Sequence, residues 1–164
     1  MDAIFHRRSI RRFTAQAVEP DKVELMLRAA MAAPSACNQQ PWEYYAVTSR
    51  EVIRRLCACS LYAEFALEAP LMFVPCWRTD CRLPPFAPID LSASVENLLL
   101  EADALGLGAT WIGIAPMEER AAAVGRVLAL PDTLHAFALI ACGYPAEEKL
   151  PRDRYDTARV HFIR

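Results

Sequence analysis

The stretch APSACNQQPW, residues 33–42, stands where one hydrophobic pattern gives way to another. Upstream, Pro20 is placed as a first-turn proline, with Asp21 and Glu24 at the positive end of a helix dipole. Val23, Leu25, Met26, Leu27, Ala30 and Met31 carry that helix on until Pro34 stops it. Downstream, residues 42–48 are aromatic and β-branched and read as a strand. Two prolines, Ser35, Cys37, Asn38, Gln39 and Gln40 fill the junction between them. Either the junction is a solvated turn, or Ser35, Asn38, Gln39 and Gln40 face a polar planar ligand.

The same alternation of patterns continues outward. Residues 48–51 fit a capping box with Thr48 at the cap and Glu51 three positions on, and Val52, Ile53, Leu56 and Cys57 then recur at helical spacing. Residues 71–74 read as a short buried strand between prolines, followed by a proline-rich loop over residues 83–88. Leu91, Val95, Leu98, Leu99, Ala102 and Leu105 form the longest helical stripe, closed by Gly106 and Gly108. A strand over 109–114, a helix over 118–128 and a continuous apolar strand over 134–142 come next, the last ending at Gly143-Tyr144-Pro145. Residues 2–8 form a short helix candidate, and residues 160–163 read as one last strand. Helices and strands intermix, so the fold is α/β or α+β.

With 164 residues, the chain is expected to be a single domain over 1–164. A hydrophobic fraction of 54% points to a well-buried core, or to apolar surface buried against a second subunit. A formal net charge of −2 argues against a generally basic nucleic-acid binder. Met1 leads into Asp2 and a basic cluster rather than the apolar core of a secretory signal, and no apolar run approaches the ~18 residues of a membrane span. A cytoplasmic protein with no membrane partner is expected. The six cysteines, at 37, 57, 59, 76, 81 and 142, lack the spacing of a zinc site and sit largely among apolar residues, so reduced structural thiols and no metal are expected.

Three motifs could carry chemistry. In HRRSIRRF, residues 6–13, Arg7, Arg8, Arg11 and Arg12 surround Ser9. Guanidinium groups offer planar, bidentate donors suited to phosphate, although a solvated basic face fits as well. In PRDR, residues 151–154, Arg152 and Arg154 alternate and would point the same way in an extended segment. GLGATWIG, residues 106–113, has Trp111 where a dinucleotide fingerprint needs glycine, so a bound phosphate would be held by arginines rather than by a glycine-rich loop. No nucleophile–base signature surrounds Ser9, Ser35, Cys37 or the histidines. An enzyme built this way leaves the hard chemistry to a cofactor.

Taken in order, these segments and the Gly143-Tyr144-Pro145 turn resemble the FMN-dependent nitroreductase family over nearly the whole chain. The resemblance implies an α+β homodimer with a central, mainly antiparallel sheet flanked by helices, an exchanged C-terminal segment, and FMN at the interface. Arg7, Arg8, Ser9 and Arg11 match the segment that holds the FMN phosphate and ribityl chain, and Arg152 and Arg154 match a late basic pair on the same phosphate. Pro34, Ser35, Asn38 and Gln40 match a loop at the flavin, often supplied by the other subunit. Trp111, Ile112 and Gly113 match the strand end against the ring. The implied activity is hydride transfer from NADH or NADPH through flavin to a small acceptor such as a nitroaromatic, quinone or enone, with no obligatory side-chain acid or base. The alternatives are specialised flavin chemistry, such as flavin fragmentation or reductive dehalogenation, and a flavin-binding protein without turnover. The regions 62–70 and 78–88 leave little room for the large helical insertion that covers the substrate in longer members.

Overall fold

The computed structural model describes residues 3–164, so Asp2 of the first helix candidate lies outside the described residues. The helices are α1 (Ala3–His6), α2 (Pro20–Met31), α3 (Arg50–Cys57), α4 (Ala87–Ala104) and α5 (Glu118–Leu128). The strands are β1 (Trp42–Val47), β2 (Leu71–Arg78), β3 (Gly108–Gly113), β4 (Leu134–Ala136) and β5 (Ala138–Gly143). They form one sheet in the order β1-β2-β5-β3, with β4 also paired to β2, and every pairing is antiparallel.

Alternation along the strands builds two cores. From β2 and β5, Met72, Val74, Leu139 and Ala141 pack on one face with Ile53 and Leu56 of α3 and Val124 of α5. Leu71, Phe73, Ala138, Ile140 and Cys142 pack on the other face with Met26 of α2 and Leu91, Val95 and Leu98 of α4. A strand buried on both faces must be apolar at every position, which is why β5 reads as an unbroken hydrophobic run.

Several expected boundaries move. The apolar run 134–142 is two strands, because Phe137 is an extra residue. Cys76 faces Ala136 while Phe73 faces Ile140, so two residues of β2 lie opposite three of the partner, a β-bulge. The bulge explains how β2 runs through Pro75 instead of stopping at Val74: the proline has no N–H to give the ladder, and its carbonyl still accepts from Phe137 N at 2.9 Å. The α3 cap is Ser49, one residue later than expected, with Oγ accepting from Val52 N. Helix α4 begins inside the expected proline-rich loop, since Pro88 suits a first helical turn. Gly106, at φ 75°, ends α4 as expected, but Gly108 already belongs to β3. Residues 160–163 form no strand. They are exposed and find no ladder partner among the described residues, and follow a short turn at Thr157–Arg159 capped by Asp156. No helix among the described residues is long and apolar enough to cross a membrane.

Candidate functional site

Residues 7–13 run along the outer edge of β3. Ile10 N donates to the Ala109 carbonyl at 3.2 Å, and Thr110 Oγ1 donates back to the Ile10 carbonyl at 2.5 Å. The approach is close because Gly108 has no side chain: a Cβ there would lie 2.7 Å from Ile10. Beyond β5 the same segment is laced to residues 144–149. Thr14 N donates to the Tyr144 carbonyl and Ala146 N to the Arg12 carbonyl, each at 2.9 Å. Glu147 accepts from Arg11 N at 2.6 Å, and Lys149 Nζ donates to the Ser9 carbonyl at 2.8 Å while pairing with Glu147 at 2.9 Å.

This lacing places two distant basic motifs on one cleft. Arg7, Arg8, Ser9 and Arg11 line one side and Lys149, Arg152 and Arg154 the other, around a volume of about 810 Å³. Arg7 is balanced by Glu96 at 3.2 Å, and Lys149 by Glu147. Among the described residues, Arg8, Arg11, Arg152 and Arg154 have no carboxylate within ion-pair distance. Arg8 is held below the ordinary arginine range by loss of hydration and by its neighbours Arg154, Arg152 and Arg7. Its Nε is the one buried side-chain nitrogen or oxygen among the described residues that lacks a hydrogen-bond partner. Repelling cations and an orphaned donor make a site that an oxyanion would complete.

A second hollow, of about 360 Å³, adjoins the cleft and shares Arg11 with it. Trp111, Ile112 and Gly113 line it together with Tyr62, Phe65, Thr110 and Arg120. Ile112 is buried in the core, and the Trp111 ring packs edge-on against Phe137 at 5.3 Å. The arrangement joins a cationic end to an aromatic-walled end.

The polar loop does not join them within this chain. It leads into β1, at the opposite edge of the sheet from β3. Three strand spacings separate those edges, about 14 Å. Gln39 is spoken for: its amide donates to Asp90 at 2.6 Å and to the Leu83 carbonyl at 3.2 Å, and its oxygen accepts from Leu83 N at 2.7 Å. Asp90 also accepts from Ala36 N, and Ser35 Oγ accepts from Gln40 N at 3.0 Å. Pro34, Asn38 and Gln40 are exposed. Cys37, Asn38 and Gln40 all adopt left-handed backbone, at φ 51°, 52° and 46°. Three such residues without a glycine store strain that the ties to Asp90 hold in place.

Sequence reasoning missed Lys149, Glu147, Asp90 and Arg120. A basic residue two positions before PRDR was a signal for Lys149. Arg120 carried none, because on an amphipathic helix it reads as an ordinary solvated charge.

The model of the Nitroreductase family matches residues 4–60 and 58–144. A protein of Methanothermobacter thermautotrophicus, provisionally named NADH dehydrogenase/NAD(P)H nitroreductase, is 35% identical over 99% of this chain and 85% of its own length. The fold is similar to the crystal structure of a provisionally named NADH oxidase from Clostridium acetobutylicum, with TM-score 0.96 and 41% identity over 99% of each chain. It is also similar to a provisionally named nitroreductase from Desulfovibrio desulfuricans solved in complex with FMN, with TM-score 0.88 and 32% identity over 99% of this chain and 95% of that one.

Proposed function

The chain belongs to the nitroreductase family, and on that premise we propose that it is an FMN oxidoreductase of a single domain over residues 1–164, taking hydride from NADH or NADPH and passing it to a small acceptor. Nitroaromatics, quinones and enones are the proposed acceptors, in a ping-pong cycle. The observation that carries the reading is the uncompensated arginine cleft opening, past Arg11, into an aromatic-walled hollow. A phosphorylated ring compound has that same polarity, and the Desulfovibrio desulfuricans relative holds FMN. The donor set fits the group: among the described residues Arg8 Nε lacks a partner, and Arg8, Arg11, Arg152 and Arg154 have no carboxylate within ion-pair distance.

When bound, FMN supplies a two-electron carrier, so no side chain needs to act as nucleophile or obligatory base. Arg8, Arg152 and Arg154 would neutralise its phosphate, with the Ser9 hydroxyl as a further donor. Lys149 would position rather than bind, through its hold on the Ser9 carbonyl and Glu147. Trp111 and the Gly113 backbone would border the ring. Pro34, Ser35, Asn38 and Gln40 lie at the far edge of the sheet, so their contact with the same ring needs a second copy of the chain. A homodimer follows, with residues 160–163 pairing on the partner and each flavin touching both chains.

The test is the visible spectrum of freshly purified protein, followed under argon by NADH and then NADPH. A flavin spectrum with bound FMN, bleached by at least one nucleotide and restored by a nitroaromatic or quinone, is expected. A colourless protein that takes up no FMN overturns the reading. A yellow protein that neither nucleotide bleaches leaves only a binding role.

A further inference from the structure

Two arginines, Arg11 and Arg120, line the hollow beside Trp111. Arg120 of α5 lies over the Tyr62 ring at 5.5 Å and donates from Nη1 to the Gly113 carbonyl at 3.3 Å. Arg11 lies over the Phe65 ring at 5.7 Å. Stacking on an aromatic face fixes a guanidinium while leaving its in-plane N–H groups free to donate. Among the described residues that line the hollow, none is acidic. Glu118, two residues before Arg120 and so toward the opposite side of α5, pairs with His135 at 3.2 Å. Arg11 is shared with the phosphate cleft, whereas Arg120 is absent from it. Arg120 is therefore the cation left to meet a second molecule at the ring.

We propose that Arg120, seated on Tyr62, selects acceptors that are planar and anionic: aromatic or quinoid compounds bearing a carboxylate. This rests on the reading above, in which the hollow borders the flavin. Trp111, Tyr62 and Phe65 supply apolar walls for a flat acceptor, and Arg120 supplies a bidentate donor at its rim. With no large insertion over the site, two aromatic side chains from residues 62–65 serve as the wall, and charge takes over part of the selection that an enclosing lid would perform by shape.

The experiment compares 4-nitrobenzoate with 4-nitrobenzamide, nearly identical in shape and different in charge. KM and kcat for both are measured on the FMN-loaded wild type, Arg120→Ala and Arg120→Lys, at two ionic strengths. Wild type should prefer the benzoate through KM, and high salt should weaken that preference. Arg120→Ala should raise the benzoate KM about tenfold relative to the benzamide, the loss of one charge-assisted contact, and should abolish the salt effect. Arg120→Lys should restore part of it. Bound FMN per chain and flavin midpoint potential are read in parallel, and both should stay at wild-type values. No charge preference in wild type, or an equal KM shift for both acceptors in Arg120→Ala, overturns the proposal. A shifted midpoint potential at unchanged preference does so too, and moves Arg120 to the flavin itself. If the protein carries no flavin or is not bleached, the underlying reading has failed separately. Quenching of tryptophan fluorescence by 4-nitrobenzoate, in wild type against Arg120→Ala, then decides whether the hollow binds the anion.

Discussion

Arg152 and Arg154 reach the cleft from an exposed segment and touch no carboxylate. Charge-assisted contacts to a phosphate are each worth roughly 1.5–3 kcal/mol, and exposure favours the lower end. Replacing both with alanine should weaken FMN binding by about two orders of magnitude or more and leave the circular dichroism spectrum unchanged; flavin fluorescence quenching measures it. The thiols divide by burial. Loss of hydration pushes Cys57 up to about 11 and Cys76 and Cys142 up to about 12, whereas Cys37 is exposed. Native protein titrated with a disulfide reagent at neutral pH should leave the buried thiols unreacted until denaturation. Glu147 is shifted the other way. Burial raises it, but the Arg11 N–H and then Lys149 outweigh burial and hold it below the ordinary carboxylate range. A carboxylate depressed in the folded state stabilises above its unfolded pKa, and that contribution disappears as pH falls through the folded value. Glu147→Gln should therefore lose about 1 kcal/mol near neutrality and converge with wild type in acid, seen in urea midpoints against pH.

Elements were legible where one physical signal acted alone. The span of α5, the start of α2 and the strand β1 follow from propensity and periodicity; the structure places the first two as expected, and β1 ends at Val47, one residue early. Misreadings cluster where two signals competed. Pro75 argued for a strand end, and only a long-range pairing with a bulged partner keeps it inside β2. Gly108 read as a helix ending because one sequence cannot show that Ile10, almost a hundred residues earlier, packs on its Cα. The site was legible as two arginine groups, since charge density survives in a linear reading. Their meeting point depends on Glu147 and Lys149, whose roles exist only in three dimensions. The Gly108 contact makes a prediction of its own. Gly108→Ala places a methyl group against Ile10, which cannot swing away because it is core. Overpacking should destabilise the fold by about 1–3 kcal/mol, and FMN affinity should drop because the segment bearing Arg7, Arg8 and Arg11 is pushed off β3. Parallel thermal melts and flavin titrations would register both effects.

At the scale of the whole molecule, apolar groups remain uncovered. Phe5 of α1 and Phe162 and Ile163 near the C-terminus are exposed, and residues 151–164 are exposed throughout. In the proposed dimer such groups would be buried, and binding of flavin and of the second chain would be linked. Removing residues 159–164 should weaken the dimer and release FMN together, followed by light scattering and absorbance at micromolar concentration. A wild-type monomer that retains one FMN per chain would break the shared-site model. Strand order carries one more consequence, for biosynthesis. β5, the last strand made, is the one that joins β3 to β2, and the arginine segment at the start of the chain is fastened by residues 109–110 and 144–149. At the roughly 5–20 residues per second of translation, residues 7–13 wait many seconds for residues 144–149. Until then the sheet is split and its apolar strands are open to solvent. The nascent chain should engage chaperones until its final quarter emerges, and should acquire flavin only after release.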